Sequence, residues 1–165
     1  MEGETLGSYQ DIFDSCVEGI LVIQEGQIVM ANPQCELLFG YTKDELIGLG
    51  IDNLLPSDTR KGHQKLRDEY ELKPTVRQMG VGRDLYAEKK GGMVFPVEIS
   101  LSPGEVHGKA STVAHIIDIS QRKDIEKELK RSEKQLIKYA TQLEIMVKDR
   151  TKELDKAIEG LTKSN

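Results

Sequence analysis

The C-terminal quarter of the chain limits what it can fold into more than any other segment. Residues 121–163 carry apolar side chains at steps of three and four, contain no proline, and have one glycine, Gly160, near the end. This spacing predicts one continuous amphipathic α-helix, about 65 Å long at ~1.5 Å per residue. A lone helix cannot bury its own apolar stripe, so the segment is expected to pack against a partner.

The stripe has the spacing of a coiled-coil seam, in which an apolar residue recurs about every 3.5 residues. Ser132 and Arg150 are weak positions, and the two four-residue steps from Ser132 to Leu136 to Ala140 form a stutter, which locally unwinds a supercoil. We predict a parallel homodimer in which the stutter lets the helices shift register. A helix that packs back on its own domain or frays is the alternative. The apolar seam residues are Ile125, Leu129, Leu136, Ala140, Leu143, Val147, Leu154 and Leu161.

Charge distinguishes this segment from the rest of the chain. Residues 1–120 contain 11 Lys and Arg against 19 Asp and Glu, a net charge of −8, whereas residues 121–165 carry a net charge of +3. The acidic part argues against nucleic acid as the main partner.

Two cysteines, Cys16 and Cys35, without a secretory signal predict a reducing, cytoplasmic location. No apolar run approaches the roughly 20 residues that cross a bilayer, so no membrane span is expected.

Residues 7–120 are predicted to form one domain, and residues 121–163 the helix that follows it. β-branched runs bounded by turn residues indicate strands, and runs with an apolar side chain every three or four residues indicate helices. The order of two strands, several helices and three strands predicts an α+β fold with a five-stranded antiparallel sheet and helices on one face. The main predicted elements are strands at 19–24 and 27–30, helices at 34–39 and 57–72, and strands at 82–89, 93–102 and 110–119.

Local signals mark most of the element boundaries. Asn32-Pro33 suits a helix start, because asparagine can cap the helix and proline fits its first position. Thr42 and Glu45 have the spacing of a capping box. Gly91-Gly92 and Pro103-Gly104 are predicted to form the turns between the last three strands.

Several short motifs follow one another in a fixed order along residues 7–120. They are Asn32-Pro33, Phe39-Gly40-Tyr41-Thr42, Glu45-Leu46-Ile47-Gly48, Gly91-Gly92 with Phe95-Pro96-Val97, and the closing run from Asp118 to Lys123. Together they resemble the PAS domain, a sensory module of bacterial signalling proteins, except that family members usually have Asp-Gly at Gly91-Gly92. The tail, with Val147, Arg150-Thr151 and Glu153-Leu154, resembles the linkers that precede the dimerisation domain of sensor histidine kinases.

The resemblance implies signal transduction in a two-component system. Such a domain senses a ligand or a redox change and relays it through the coiled-coil linker to a downstream output domain, expected here to be a histidine kinase. Asp118 resembles the family's aspartate at the junction of core and linker, so Asp118 and Ile119 are the predicted signal relay. A carboxylate there can also bond backbone N–H groups where the helix begins. The chain contains no phosphate-binding glycine loop, nucleophile elbow or kinase phosphoacceptor motif, so no enzymatic activity is expected of it.

PAS domains bind haem, flavin, small acids or nothing, and His63 and Arg83 are the residues that suggest haem. Their separation resembles that in haem-binding PAS oxygen sensors, where the histidine ligates the iron and the arginine hydrogen-bonds bound oxygen. Imidazole is a good axial ligand for haem iron, and a guanidinium can stabilise a partly negative oxygen. The other candidate cofactor-binding residues are Val81, Ile99 and Leu101, on an apolar wall above the ring, and Arg77, at a haem propionate.

Alternatives to haem b stay open at this point. Glu69 falls where the haem sensors tend to place a basic group near a propionate, and a carboxylate there would repel it. Residues 49–60 contain no cysteine, which excludes light-sensing flavin chemistry, and the chain has no tryptophan, which disfavours a redox flavin. The alternatives are therefore a ligand-free dimerisation module and a sensor of another small ligand.

Overall fold

The computed structural model describes residues 2–163, with side chains from residue 9 onward, as two compact units that divide between Ser120 and Gln121. The helices are Glu2–Ser15 (α1), Pro33–Phe39 (α2), Lys43–Leu46 (α3), Ser57–Leu72 (α4) and Ser120–Lys163 (α5), with a 3-10 helix at Ile51–Leu54. The strands are Gly19–Gln24 (β1), Gln27–Ala31 (β2), Arg77–Gln78 (β3), Leu85–Glu88 (β4), Val94–Val106 (β5) and Lys109–Asp118 (β6).

An antiparallel sheet forms the centre of the first unit, and among the described residues it has six strands. Their order is β2-β1-β6-β5, and the outer edge of β5 pairs with two short strands, β4 near its start and β3 near its middle. The predicted α+β fold with an antiparallel sheet is confirmed. The strand that the prediction lacked is β3, in which Arg77 pairs with Leu101 of β5.

The turn between the last two strands is not where the sequence predicted it. β5 continues through Pro103 and Gly104, which pair with β6, and the chain turns at His107-Gly108 instead. Proline is tolerated in a strand that has a free edge. Past Leu101, the described pairs of β5 are with β6 alone, so its other edge is free and Pro103 does not interrupt the ladder.

Most other local signals act as predicted. The Thr42 hydroxyl accepts a hydrogen bond from the Glu45 backbone N–H, and the Glu45 carboxylate accepts one from the Thr42 backbone N–H, which completes the capping box of α3. Asn32 differs: it precedes α2, but its side chain makes no capping bond to that helix. It accepts from the Ile20 N–H at 2.9 Å and donates to the Glu18 carbonyl at 2.9 Å, and thereby ties α2 to β1.

The core lies between the sheet and helices α2 and α3. Phe39 of α2 packs edge-on against Phe95 of β5, with ring centroids 5.9 Å apart. Cys35 is fully buried beside them. The buried apolar residues of this core include Leu21, Ile28, Leu38, Leu46, Val97 and Ile116. A face of α4 lies farther along the same side of the sheet, and the space between them forms the cavity described below.

The second unit is a single helix. α5 runs without a break from Ser120 to Lys163, 44 residues, as the apolar spacing predicted. Its large apolar seam residues, from Ile125 to Leu161, are 58–72% exposed in this single chain. Pairing of two such helices stays a prediction. None of the helices in residues 2–163 combines the length and apolar character needed to cross a membrane.

Candidate functional site

A cavity of about 320 Å³ lies between the sheet and α4. This volume is at the lower end of the range of small-molecule sites, ~300–1,000 Å³. Apolar side chains supply most of its wall, among them Ile23, Leu54, Leu66, Ile99, Leu101 and Ile116. The charged or titratable side chains on the wall are His63, Arg67, Tyr70, Glu71, Arg77, Arg83, Asp84 and Tyr86. The site therefore combines an apolar body with a cluster of basic groups.

His63 lies on the cavity wall and is held there by a carboxylate. Its Nδ1 is 2.6 Å from Oδ1 of Asp52, which belongs to the 3-10 helix that precedes α4. Because Asp52 accepts the proton of Nδ1, the neutral ring keeps its lone pair on Nε2. Histidine ligands of metals commonly have this second-nitrogen bond, which sets the ring orientation and the tautomer.

The same carboxylate also contacts Arg67, one helical turn after His63 on α4. Oδ2 of Asp52 is 3.4 Å from Nη2 of Arg67. On its other side the guanidinium lies against the β1–β2 turn, because a Cβ added to Gly26 would be 1.8 Å from Nη1. Arg67 Nε is buried and has no hydrogen-bond partner within the part of the chain that the structure describes. Arg67 therefore contacts both Asp52 and the β1–β2 turn, while its buried donor Nε has no partner among the described residues.

Arg77 is a second basic side chain on the wall, and it lies against the Tyr70 ring. The Arg77 guanidinium lies 4.8 Å from the centroid of the Tyr70 ring, a cation–π contact. The Tyr70 hydroxyl donates to the Thr75 carbonyl at 2.9 Å, and burial raises the pKa of this phenol. The neutral Tyr70 ring therefore positions the Arg77 guanidinium at the cavity through a cation–π contact.

Five of the six residues predicted to hold a cofactor line this cavity. His63 comes from α4, Arg77 from β3, Ile99 and Leu101 from β5, and Arg83 from the turn before β4. Their roles toward a ligand stay predictions.

Val81 is the exception, because the structure does not place it on the cavity wall. It is 86% exposed and does not line the cavity. Val81 lies between Gly80 and Gly82, both with positive φ, in the turn that leads to β4. Leu85 fills the adjacent wall instead, packed closely against the Gly80 backbone.

Asp52, Arg67 and Tyr70 were not predicted as site residues. His63, Arg67 and Tyr70 follow one another at steps of four and three along α4, so helical periodicity alone could have placed them on one face with His63. Asp52 had no such signal, because its contact with His63 depends on how the 3-10 helix packs on α4.

The predicted relay residues lie where the first unit ends. The Asp118 carboxylate accepts a hydrogen bond of 2.8 Å from the Ser120 backbone N–H, at the first residue of α5. Ile119 is buried, and its N–H donates to the Pro96 carbonyl of β5 at 3.1 Å. The residue that precedes α5 is therefore tied to a strand that also lines the cavity.

An antiparallel sheet with short helices and a ligand-sized cavity is the arrangement of a sensory domain, and in this chain a long helix follows it. The family model described as "PAS domain" matches residues 17–121, and the chain belongs to this family.

Comparisons with individual proteins agree with this assignment. The oxygen sensor protein DosP of Escherichia coli strain K12 is 32% identical over 101 residues, 61% of this chain and 13% of DosP. The sensor protein FixL of Bradyrhizobium diazoefficiens is 22% identical over 129 residues, 78% of this chain and 26% of FixL. The chain thus spans only a small part of either relative.

A crystal structure of a PAS domain from a two-component sensor histidine kinase shares the fold. Its TM-score is 0.57 at 12% identity, with 72% of this chain and 99% of that chain covered.

Proposed function

We propose that this PAS domain is a haem-based oxygen or gas sensor, with Nε2 of His63 as the axial ligand of the iron. The observation that carries the proposal is the His63 imidazole on the cavity wall with its Nδ1 held 2.6 Å from Asp52. The similarity to a protein named as an oxygen sensor supports it.

The residues on the cavity wall fit haem. A neutral imidazole in a fixed tautomer is a suitable axial ligand. Haem would supply an iron centre that can bind a diatomic gas. Among the described residues no three His, Cys, Asp or Glu side chains cluster around a metal site, but haem iron needs only one or two protein ligands. Arg77 and Arg83 offer guanidinium donors to carboxylates or to a partly negative ligand atom.

The response is proposed to reach α5 through β5 and the relay residues. Ile99 and Leu101 of β5 line the cavity, and the same strand holds Ile119 through the Pro96 carbonyl. A shift of β5 on ligand binding would therefore move the start of α5. We propose that two α5 helices pair in a parallel homodimer and pass this movement to an output domain, a histidine kinase, in the parent protein. The sensory part itself has no catalytic function in this proposal.

The haem proposal is tested by absorption spectroscopy of the purified chain after titration with haemin, with and without reductant. We expect a sharp Soret band whose position and intensity change in His63→Ala. His115→Ala is the matched control, because His115 pairs with Glu18 at 3.4 Å and does not line the cavity. A spectrum that is the same in the natural sequence and in His63→Ala would reject haem ligation and favour a ligand-free dimerisation module.

The dimer is tested by the mass of the full chain in solution over a range of concentrations. We expect a dimer for the natural sequence and a monomer for Leu143→Asp, because Leu143 lies on the seam and a buried unpaired charge is costly. Ile145→Asp is the control, since two residues rotate a helix by about 200° and place Ile145 on the opposite face. A natural chain that stays monomeric at every concentration would contradict the pairing of α5.

A further inference from the structure

Two large apolar side chains in the middle of α5 lie beside the predicted seam and do not belong to it. Tyr139 is 58% exposed and Met146 is 63% exposed, which is within the range of the seam residues themselves. Each immediately precedes a seam residue, Tyr139 before Ala140 and Met146 before Val147. The apolar face in this part of α5 is therefore wider than the narrow stripe of a single coiled-coil seam.

Tyr139 and Met146 complete a second seam along the same helix. The second seam runs through Leu136, Tyr139, Leu143, Met146, Arg150 and Leu154. Its steps are again three or four residues, and its stutter lies at the two four-residue steps from Met146 to Arg150 to Leu154. The first seam has its stutter earlier, at Leu136. Outside residues 139–147 the two seams are identical, so they differ only in which member of each neighbouring pair faces the partner helix.

The two seams place the middle of α5 at different rotations. In the first seam Leu143 follows Ala140 by three residues and occupies position d of the heptad, whereas in the second it follows Tyr139 by four residues and occupies position a. Positions a and d lie about 50° apart around a helix with ~3.5 residues per turn. The segment 139–147 is therefore rotated by about 50° between the two seams.

The packing preferences of the two seams oppose each other. The first seam has β-branched Val147 at position a and Leu143 at position d, a combination that parallel dimers favour. The second seam has Tyr139 and Met146, whose side chains are larger than those they replace and remove more apolar area from water. Arg150 belongs to both seams, so its burial does not favour either of them. Each seam therefore has one packing advantage over the other.

We propose that two copies of α5 pair through either seam, and that the stutter moves between Leu136 and Arg150 while the rest of the seam keeps one packing. The partner on the widened face is a second copy of this chain, because a heptad seam fits a helix that carries the same repeat. This inference rests on the homodimer of the proposed function. It adds the residues at which the interface of that homodimer has two arrangements.

Disulfide crosslinking of variants with one added cysteine in the full chain tests the two seams. The background is Cys16→Ser, in which the remaining natural cysteine, Cys35, is buried and should form no crosslink. A disulfide needs Cβ atoms about 3.5–4.5 Å apart, so it forms where equivalent positions of two helices face each other. The variants that report the seams are Tyr139→Cys, Ala140→Cys, Met146→Cys and Val147→Cys. We expect all four to crosslink.

Two further variants calibrate the crosslinking. Leu143→Cys is the positive control, because Leu143 belongs to both seams, and Ile145→Cys is the negative control on the opposite face. A second substitution then biases the choice of seam. Ala140→Leu adds apolar area to the first seam, so the rate of crosslinking at position 146 relative to position 147 should fall at least about tenfold. Thr141→Leu lies outside both seams and should leave this ratio unchanged.

The outcomes separate this proposal from the homodimer itself. Crosslinks confined to positions 140 and 147, or to positions 139 and 146, overturn the second arrangement, while rapid crosslinking of Leu143→Cys keeps the homodimer. A ratio that Ala140→Leu leaves unchanged also overturns the proposal, provided that circular dichroism shows an intact helix. Absence of crosslinking in Leu143→Cys, or equally rapid crosslinking in Ile145→Cys, overturns both the proposal and the paired seam.

Discussion

A single methyl group at Gly26 should change both the β1–β2 turn and the cavity. Gly26 has a φ of 78°, and its added Cβ would lie 1.8 Å from Nη1 of Arg67. In Gly26→Ala the alanine would have to adopt this left-handed conformation, which should lower the free energy of unfolding by roughly 1–2 kcal/mol. The Arg67 tip is flexible, so we expect it to swing away from the methyl group and from Asp52.

The loss of the Arg67–Asp52 contact adds little to this cost. The two side chains are 23% and 34% exposed, and a partly solvated pair contributes about 0–1 kcal/mol. The expected loss in the free energy of unfolding is therefore roughly 1–3 kcal/mol. Gly108→Ala is a close control: Gly108 has a φ of 74°, follows a positive-φ residue as Gly26 does, and has no atom within 4 Å of an added Cβ. For Gly108→Ala the expected loss in the free energy of unfolding comes from the left-handed conformation alone, roughly 1–2 kcal/mol.

The assay is urea unfolding of both variants, each made in the natural sequence and in an Arg67→Ala background. In the natural sequence the two variants should differ by no more than about 1 kcal/mol in stability, and in the Arg67→Ala background both should lose only the contribution of the left-handed turn. If Gly26→Ala costs more than Gly108→Ala by the same amount in both backgrounds, the guanidinium does not lie against the turn as described. A stability loss several kcal/mol larger than that of Gly108→Ala would refute the assumption that Arg67 moves freely.

Two further predictions follow from titratable groups. The hydrogen bond from Lys90, followed by that from the Thr42 backbone N–H, holds the pKa of the Glu45 carboxyl below its ordinary value. This lowered pKa contributes stability at neutral pH that is lost as the pH falls below about 4.3 and through the folded-state pKa. Urea unfolding of Lys90→Met should show a weaker pH dependence in that window, and an unchanged profile would contradict the contact. Burial raises the pKa of the Cys35 thiol to about 12, so native protein at pH 8 should be alkylated by iodoacetamide at Cys16 and not at Cys35, with both reacting in urea. Equal rates at the two cysteines in the native protein would show that the core around Cys35 opens readily.

Signals that act within a few residues were predictable. The capping box of Thr42 and Glu45 depends on neighbours close in sequence, and the structure contains it. Pro103-Gly104 was misinterpreted as a turn for the opposite reason. Whether a proline interrupts a strand depends on which of its edges is paired, and that is a property of the whole sheet.

The candidate site likewise contains residues that the sequence identified and residues that it missed. His63 was singled out by its type and by a family resemblance, and it does line the cavity. Val81 was placed there by the same resemblance and lies exposed in a turn. Asp52, which holds His63, was missed because its contact depends on how the 3-10 helix packs on α4. Arg67 was missed although helical periodicity places it one turn after His63.

The sequence by itself determined the α+β order of elements, the capping box of α3 and the long helix α5, because periodicity and capping are properties of the local chain. It also established the acidic domain and the mixed-charge tail. Tertiary structure alone decided that one carboxylate, Asp52, contacts both His63 and Arg67, and that Gly26 encloses the guanidinium. These contacts join residues up to 41 positions apart, from Gly26 to Arg67, so they exist only once the hairpin, the 3-10 helix and α4 have packed around a shared cavity.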